Sequence, residues 1–167
     1  NTRHMNTLAI TEAAQATLAG TQPFPEIVAK LIAAGVQYYH VGYVGLCKQF
    51  YDGAGGRVVT PIPCGDLPPV AAELDVAALR AAILDSQTKG QPWREFSRRA
   101  MTAGVQSYFA FLRGQRVTYL GRIGDTPIPG AGTWADARTA VSGTGKGEAF
   151  IRSVACKRVS NELAHGA

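Results

Sequence analysis

Gly121-Arg122-Ile123-Gly124-Asp125 divides this chain into two texts of different composition, and any fold proposed for it has to respect that junction. Twelve of the fourteen aromatic residues precede Gly121, leaving only Trp134 and Phe150 behind it, while eight of the nineteen glycines fall in the last 47 positions. Core-forming material is therefore concentrated in the first part. At 167 residues the chain has room for one domain with a real core and an appendage, but hardly two full domains. Hydrophobic content of 46% with 17% charged residues excludes a largely disordered chain. A net charge of +5 permits contact with a polyanion, though an excess of this size also serves solubility alone.

The first part reads as α+β. Ile10, Ala13, Ala14, Thr17 and Leu18 recur at helical spacing, and Gly20 is placed to stop that helix. Pro23 and Pro25 suit the start of a second helix, lined by Ile27, Leu31 and Ala34 and ended by Gly35. Val36 to Tyr43, Leu46 to Asp52 and Arg57 to Ile62 read as strands, the last two separated by Gly53-Ala54-Gly55-Gly56. Pro61, Pro63, Pro68 and Pro69 make Cys64 to Val70 a surface connection. Asp75 can cap a third helix running to Gly90, and Pro92 opens a fourth that carries Trp93, Phe96 and Ala100 and stops at Gly104. A hairpin follows, with Val105 to Leu112 and Gln115 to Leu120 joined across Arg113-Gly114.

An internal echo runs through this pattern. Ala34-Gly35-Val36-Gln37-Tyr38-Tyr39 corresponds to Ala103-Gly104-Val105-Gln106-Ser107-Tyr108, and a proline stands twelve residues before each glycine. The expected architecture is helices packed on an antiparallel sheet as two helix-to-hairpin units, followed by a glycine-rich loop, a short strand and a helix. A duplication and a generic helix-to-strand junction used twice both produce such an echo.

The run Gly90-Gln91-Pro92-Trp93-Arg94-Glu95-Phe96-Ser97-Arg98-Arg99-Ala100, with Tyr108 and Gly114-Gln115-Arg116-Val117-Thr118-Tyr119-Leu120-Gly121-Arg122, resembles small prophage-associated proteins termed phage-envelope-like. That resemblance covers residues 5–125 and implies a small α+β domain without implying any chemistry. From Gly121 the chain is similar instead to the β-subunit of plant-type L-asparaginases and isoaspartyl peptidases, which are N-terminal-threonine hydrolases. The residues that carry this are Gly121-Arg122-Ile123-Gly124-Asp125-Thr126-Pro127-Ile128-Pro129-Gly130-Ala131-Gly132-Thr133-Trp134 and Val141-Ser142-Gly143-Thr144-Gly145-Lys146-Gly147-Glu148. The resemblance implies that Arg122 holds a substrate α-carboxylate, that Asp125 holds its α-amino group, and that Thr144 and Gly145 help form an oxyanion site. A guanidinium fork suits a carboxylate, and glycine-loop N–H groups suit an anionic oxygen. The family's self-cleaving Gly-Thr-Val-Gly-like segment and its Thr-Gly-Gly-Met-like segment have no counterpart in the 167 residues. Thr102, behind Met101 at a helix end, does not fill the nucleophile's place.

Three parts follow: a vector remnant at 1–4, a prophage-type domain at 5–120, and an asparaginase-like segment at 121–167, a join that natural recombination at the Gly-Arg-x-Gly-acid stretch, a deliberate chimera or a sequence error would each produce. The expected function is that of a small cytoplasmic binding or accessory module without catalysis, working through its sheet and tyrosines. The alternative is an asparaginase-like amidohydrolase, or its remnant, binding an amino acid through Arg122 and Asp125. Nucleic-acid binding ranks third: Arg94, Arg98, Lys89, Arg113 and Arg116 read more simply as a solvated face, and Tyr38, Tyr39, Tyr43, Tyr108 and Phe109 as core. Cys47, Cys64 and Cys156 lack metal-ligand spacing, His40 reads as a packed histidine, and Gly143-x-Gly145-x-Gly147 lacks P-loop spacing. Neither metal nor cofactor is expected, no apolar run has membrane length, and the Glu148 to Leu163 helix, striped by Ile151, Val154, Ala155 and Val159, is the expected route to docking or to a homo-oligomer.

Overall fold

Helix ends set the frame of this molecule. The computed structural model describes residues 4–127. Helices α1 (Thr7–Ala19) and α3 (Val76–Lys89) each begin at a side-chain cap, Asn6 Oδ1 accepting from Ala9 N at 3.0 Å and Asp75 Oδ1 from Ala78 N at 3.0 Å. Each cap satisfies an N–H that the first turn leaves orphaned. Helices α2 (Phe24–Ala33) and α4 (Trp93–Thr102) start instead at Pro23 and Pro92, where the missing N–H costs nothing. Both then reverse at a left-handed glycine, Gly35 at φ +96° and Gly104 at φ +94°.

Strands β1 (Tyr38–Gly42), β2 (Cys47–Tyr51), β3 (Arg57–Pro61), β4 (Val105–Phe111) and β5 (Arg116–Gly121) form one antiparallel sheet in the order β3-β2-β1-β4-β5. Pro61 sits on edge strand β3, where its missing N–H breaks no ladder. The expected α+β class, with helices on an antiparallel sheet and two helix-to-hairpin units, is what the structure contains. The expected strand over residues 138–142 and helix over 148–163 lie outside the described residues, and so do Thr144 and Gly145.

The echo extends well beyond the junctions that first suggested it. Asn6 and Asp75, Pro23 and Pro92, and Gly35 and Gly104 all stand 69 positions apart, as do Leu46 and Gln115, both at φ +54° in the hairpin turns. Buried Ile10, Ala13 and Ala14 of α1 correspond at the same offset to Leu79, Ala82 and Ile83 of α3. The backbone bond from Asn6 N to Ala34 O (2.9 Å) repeats as Asp75 N to Ala103 O (2.7 Å). A generic junction does not carry its own upstream helix, cap and tie, so an internal duplication is the reading that accounts for all of these. β1 and β4 pair across the local two-fold, Tyr39 opposite Ala110 and Val41 opposite Tyr108.

Alternation along the strands divides the sheet into two faces. Tyr39, Val41, Phe50, Tyr108, Ala110, Val117 and Tyr119 are buried, and Phe96 of α4 packs against Tyr108 and Tyr119 with ring centroids 6.4 and 6.3 Å away.

The two halves differ at their glycine junctions. A Cβ on Gly35 would make ordinary contact with Met5 Cα at 3.5 Å, whereas one on Gly104 would collide with the Glu73 carbonyl and stand 2.8 Å from Leu74 Cα. Gly35→Ala should therefore cost about 1–2 kcal/mol, the left-handed penalty alone, and Gly104→Ala about 3 kcal/mol or more. Urea denaturation of the two variants checks this, and equal losses would count against it.

Candidate functional site

The residues singled out in the sequence begin where β5 ends. Gly121 N donates to Asp125 O at 2.8 Å and Gly124 N donates to Gly121 O at 3.1 Å, closing a tight turn in which Gly124 takes φ +86°. Asp125 folds back over Gly121 so closely that a Cβ at Gly121 would collide with Asp125 Oδ1 and approach Leu74 Cβ to 3.3 Å. A side chain at Gly121 would therefore have to displace the Asp125 carboxylate from its place. Gln106 Nε2 holds the same residue from the neighbouring strand, donating to Gly121 O at 3.3 Å.

Within this turn Asp125 Oδ1 is buried and accepts no hydrogen bond. An acceptor removed from water without a donor is costly, and an ammonium group is the chemical complement it lacks. Arg122 is exposed and among the described residues makes one long bond, Nη1 to Val70 O at 3.4 Å, which leaves most of its donors open to an anion there. The structure thus places Arg122 and Asp125 on one turn, both against the Val70–Leu74 connection.

Other residues weighed in the sequence have structural duties. Arg94 and Arg98 are not a solvated face, nor are they open to phosphate. Arg94 donates to Cys64 O (2.9 Å), Pro63 O (3.3 Å) and Asp66 Oδ1 (3.2 Å), and Arg98 to Asp66 Oδ2 (2.7 Å) and Asp66 O (3.0 Å). They clamp the 63–66 loop onto α4, and the Arg98 and then Arg94 hydrogen bonds hold the Asp66 carboxyl below the usual range. Lys89 pairs with Asp85 at 3.3 Å. His40 packs on Phe109 with centroids 4.6 Å apart, and burial lowers its imidazole. Tyr39, Tyr43 and Tyr108 are core, but Tyr38 and Phe109 lie on the opposite face. Cys47 and Cys64 are free thiols. Among the described residues no three His, Cys, Asp or Glu side chains gather as metal ligands, and no helix is long and apolar enough to cross a membrane.

One site escaped the sequence reading. Lys48 is only 4% exposed, facing the helices from β2, with its Nζ 4.0 Å from the centroid of the Trp93 ring. Around it, Tyr43 Oη donates to Ser97 Oγ (2.8 Å) and Trp93 Nε1 to Tyr108 Oη (2.9 Å), while Thr60, its cross-strand partner, has a buried Oγ1 with no hydrogen bond. Burial pulls the Lys48 ammonium down to about 7, and the ring beneath it acts in the opposite direction. Alternation was the available signal: Phe50 is an obvious core residue, and Lys48 precedes it by two in the same strand.

The sign of the pH effect follows. With Lys48 depressed to about 7 in the fold and near 10.4 when unfolded, the unfolded chain binds more protons between those values, so stability rises with pH across that window. Above about pH 10 the unfolded tyrosines ionise, while burial holds Tyr39, Tyr43 and Tyr119 protonated in the fold, and stability falls again. Lys48→Met should raise the melting temperature at pH 7 and flatten the rise between pH 7 and 10, read by thermal melts in matched buffers. A rise of undiminished slope in the variant would contradict this assignment.

Comparison with known proteins bears on the junction. A family model described as Asparaginase matches residues 113–167, a span that takes in β5 and the turn. A Dictyostelium discoideum protein named as an isoaspartyl peptidase/L-asparaginase is 52% identical over 46 residues, 28% of this chain and 13% of that protein. "Probable isoaspartyl peptidase/L-asparaginase 2" of Arabidopsis thaliana is 54% identical over 41 residues, covering 25% and 13%. A similarly named Drosophila pseudoobscura pseudoobscura protein is 52% identical over 46 residues, covering 27% and 14%. The chain spans 13% to 14% of the length of these relatives.

These matches correct the leading functional expectation. That expectation, a prophage-type binding or accessory module without catalysis, rests on the resemblance over residues 5–125 and on the missing nucleophile. The matched residues point instead to the amidohydrolases. Core mass carries the fold, while the match begins only at Arg113.

Proposed function

We propose that the chain acts in asparaginase-like amide hydrolysis, supplying the groups that grip an α-amino acid whose side chain bears the amide, such as asparagine or a β-aspartyl peptide. The observation that carries this is the coincidence of the 113–167 match with a turn in which Arg122 is largely unengaged among the described residues and Asp125 Oδ1 is buried without a donor. In this reading Arg122 takes the α-carboxylate as a guanidinium fork, and Asp125 takes the α-ammonium. Thr144 and Gly145 stabilise the oxyanion that develops as the amide carbonyl is attacked. The attacking threonine's segment and the Thr-Gly-Gly-Met-like segment are without a counterpart in these residues, so the binding half of the reaction is what this chain is assigned.

Calorimetric titration with L-aspartate, beside an ammonia-release assay with L-asparagine, tests the reading. L-Aspartate should bind at millimolar concentration or below, and Arg122→Ala and Asp125→Asn should each weaken it by about tenfold or more, the scale of one charge-assisted contact. Ammonia release accompanied by a new threonine amino terminus would place the nucleophile within the chain as well. Failure to bind L-aspartate would sink the proposal.

A further inference from the structure

The sheet face turned away from the helices has its own chemistry, independent of the Gly121–Asp125 turn. The strand registers align Arg57, Tyr51, Tyr38, Phe111 and Arg116 in one row across all five strands. Its rings stack from strand to strand, Tyr51 on Tyr38 at 4.9 Å and Tyr38 on Phe111 at 5.6 Å, and the next row continues through Phe109, 5.7 Å from Phe111, to His40. All five rings are partly exposed.

None of the five strands contains Asp or Glu, so among the described residues the strands bring no carboxylate to this face. Asp52, in the β2–β3 turn, has its carboxylate engaged by the turn itself, accepting from Ala54 N and Gly56 N at 2.8 and 2.7 Å. On the helix side Arg94, Arg98 and Arg99 are all paired with carboxylates. Arg113 and Arg116, by contrast, are exposed and have no ion-pair partner among the described residues, and they line an open cleft of about 340 Å³ with Gln37, Tyr38, Phe111 and Gly114.

We propose that this face binds single-stranded nucleic acid, with bases against the Tyr51–Tyr38–Phe111 row and phosphates on Arg113, Arg116 and Arg57. Aromatic surface for bases, guanidinium groups for phosphates and an absence of repelling carboxylates are the requirements for sequence-tolerant strand binding. An aromatic centre edged by arginines also suits a protein interface; the arginines at both ends of the row and the lack of Asp or Glu in all five strands are what favour a polyanionic strand. Five strands span about 19 Å, room for about three to five nucleotides. The arginines at both ends of the row give the strand a direction across the sheet rather than along it.

Fluorescence anisotropy with labelled twelve-nucleotide oligo-dT and oligo-U tests this on the full chain. Binding should be detectable at 50 mM salt and about tenfold weaker at 200 mM, as expected for two to three neutralised phosphates on a single strand. Arg113→Glu/Arg116→Glu should weaken it by a further tenfold or more, while Lys30→Glu/Arg80→Glu, an equal charge change on the exposed helix side, should leave it within about twofold, the difference between contact and bulk charge. Tyr38→Ala should reduce affinity by about tenfold, the scale of one stacked base, with circular dichroism confirming that the variant folds. Equal losses in the two charge variants, equal affinity for duplex, or saturation by UMP alone at matched nucleotide concentration would each overturn the proposal. So would absence of binding at 50 mM salt, or a self-association by sedimentation that Arg113→Glu/Arg116→Glu abolishes.

Discussion

Pairing of β1 with β4 is the contact on which the rest of the domain depends. It joins two units 69 residues apart in the chain, and its ends are closed by reciprocal backbone bonds, Tyr43 N to Gln106 O at 2.9 Å and Leu112 N to Gln37 O at 3.0 Å. Without that seam each unit would be a short sheet with two helices, exposing the inward rings that the other unit covers. Tyr39 and Tyr108 occupy equivalent positions, as do Phe50 and Tyr119, and all four are buried. The core is in effect one packing solution applied twice.

The departures from symmetry are more informative than the agreements. Lys48 occupies the position that Val117 fills in the other half, Ser97 that of Val28, and Trp93 that of Phe24. These three polar or amphipathic replacements lie together, Lys48 over the Trp93 ring and Ser97 bonded to Tyr43. A lone lysine in the Val117 environment would be an uncompensated charge. Here the tryptophan face offsets part of the desolvation, and lowering of the ammonium accounts for the remainder. Lys48 and Trp93 are therefore a correlated pair, and Ser97 adds a partner for the Tyr43 hydroxyl beside them.

What the sequence disclosed follows the range of the interactions involved. Caps, prolines and left-handed glycines act within four residues, so Asp75, Pro92, Gly35 and Gly104 placed their elements almost to the residue. Period-two alternation also decides between neighbours: Tyr38 and Tyr39 cannot both be core, and the structure buries Tyr39 while Tyr38 joins the outer row. Arg94 and Arg98 were illegible because Asp66, the partner that organises them, lies 28 and 32 residues away across a proline-rich connection. The Asp125 carboxylate was legible as a motif residue, but its fold back over Gly121 was not, since that depends on β5 and Leu74 meeting there.

This last dependence ties the two texts of the chain together. The matched segment starts at Arg113, inside the β4–β5 hairpin, so the strand that leads into the turn is also an edge strand of the aromatic-rich sheet. Gly121 is simultaneously the last residue of that strand, the donor to Asp125 O and the acceptor from Gln106 Nε2. Arg122 and Asp125 are consequently oriented by the sheet and by the Val70–Leu74 connection, and not by local sequence alone. Groups held this way lose little freedom when they meet a ligand, because the backbone cost has already been met in folding. The first part of the chain thus contributes to the turn by fixing it.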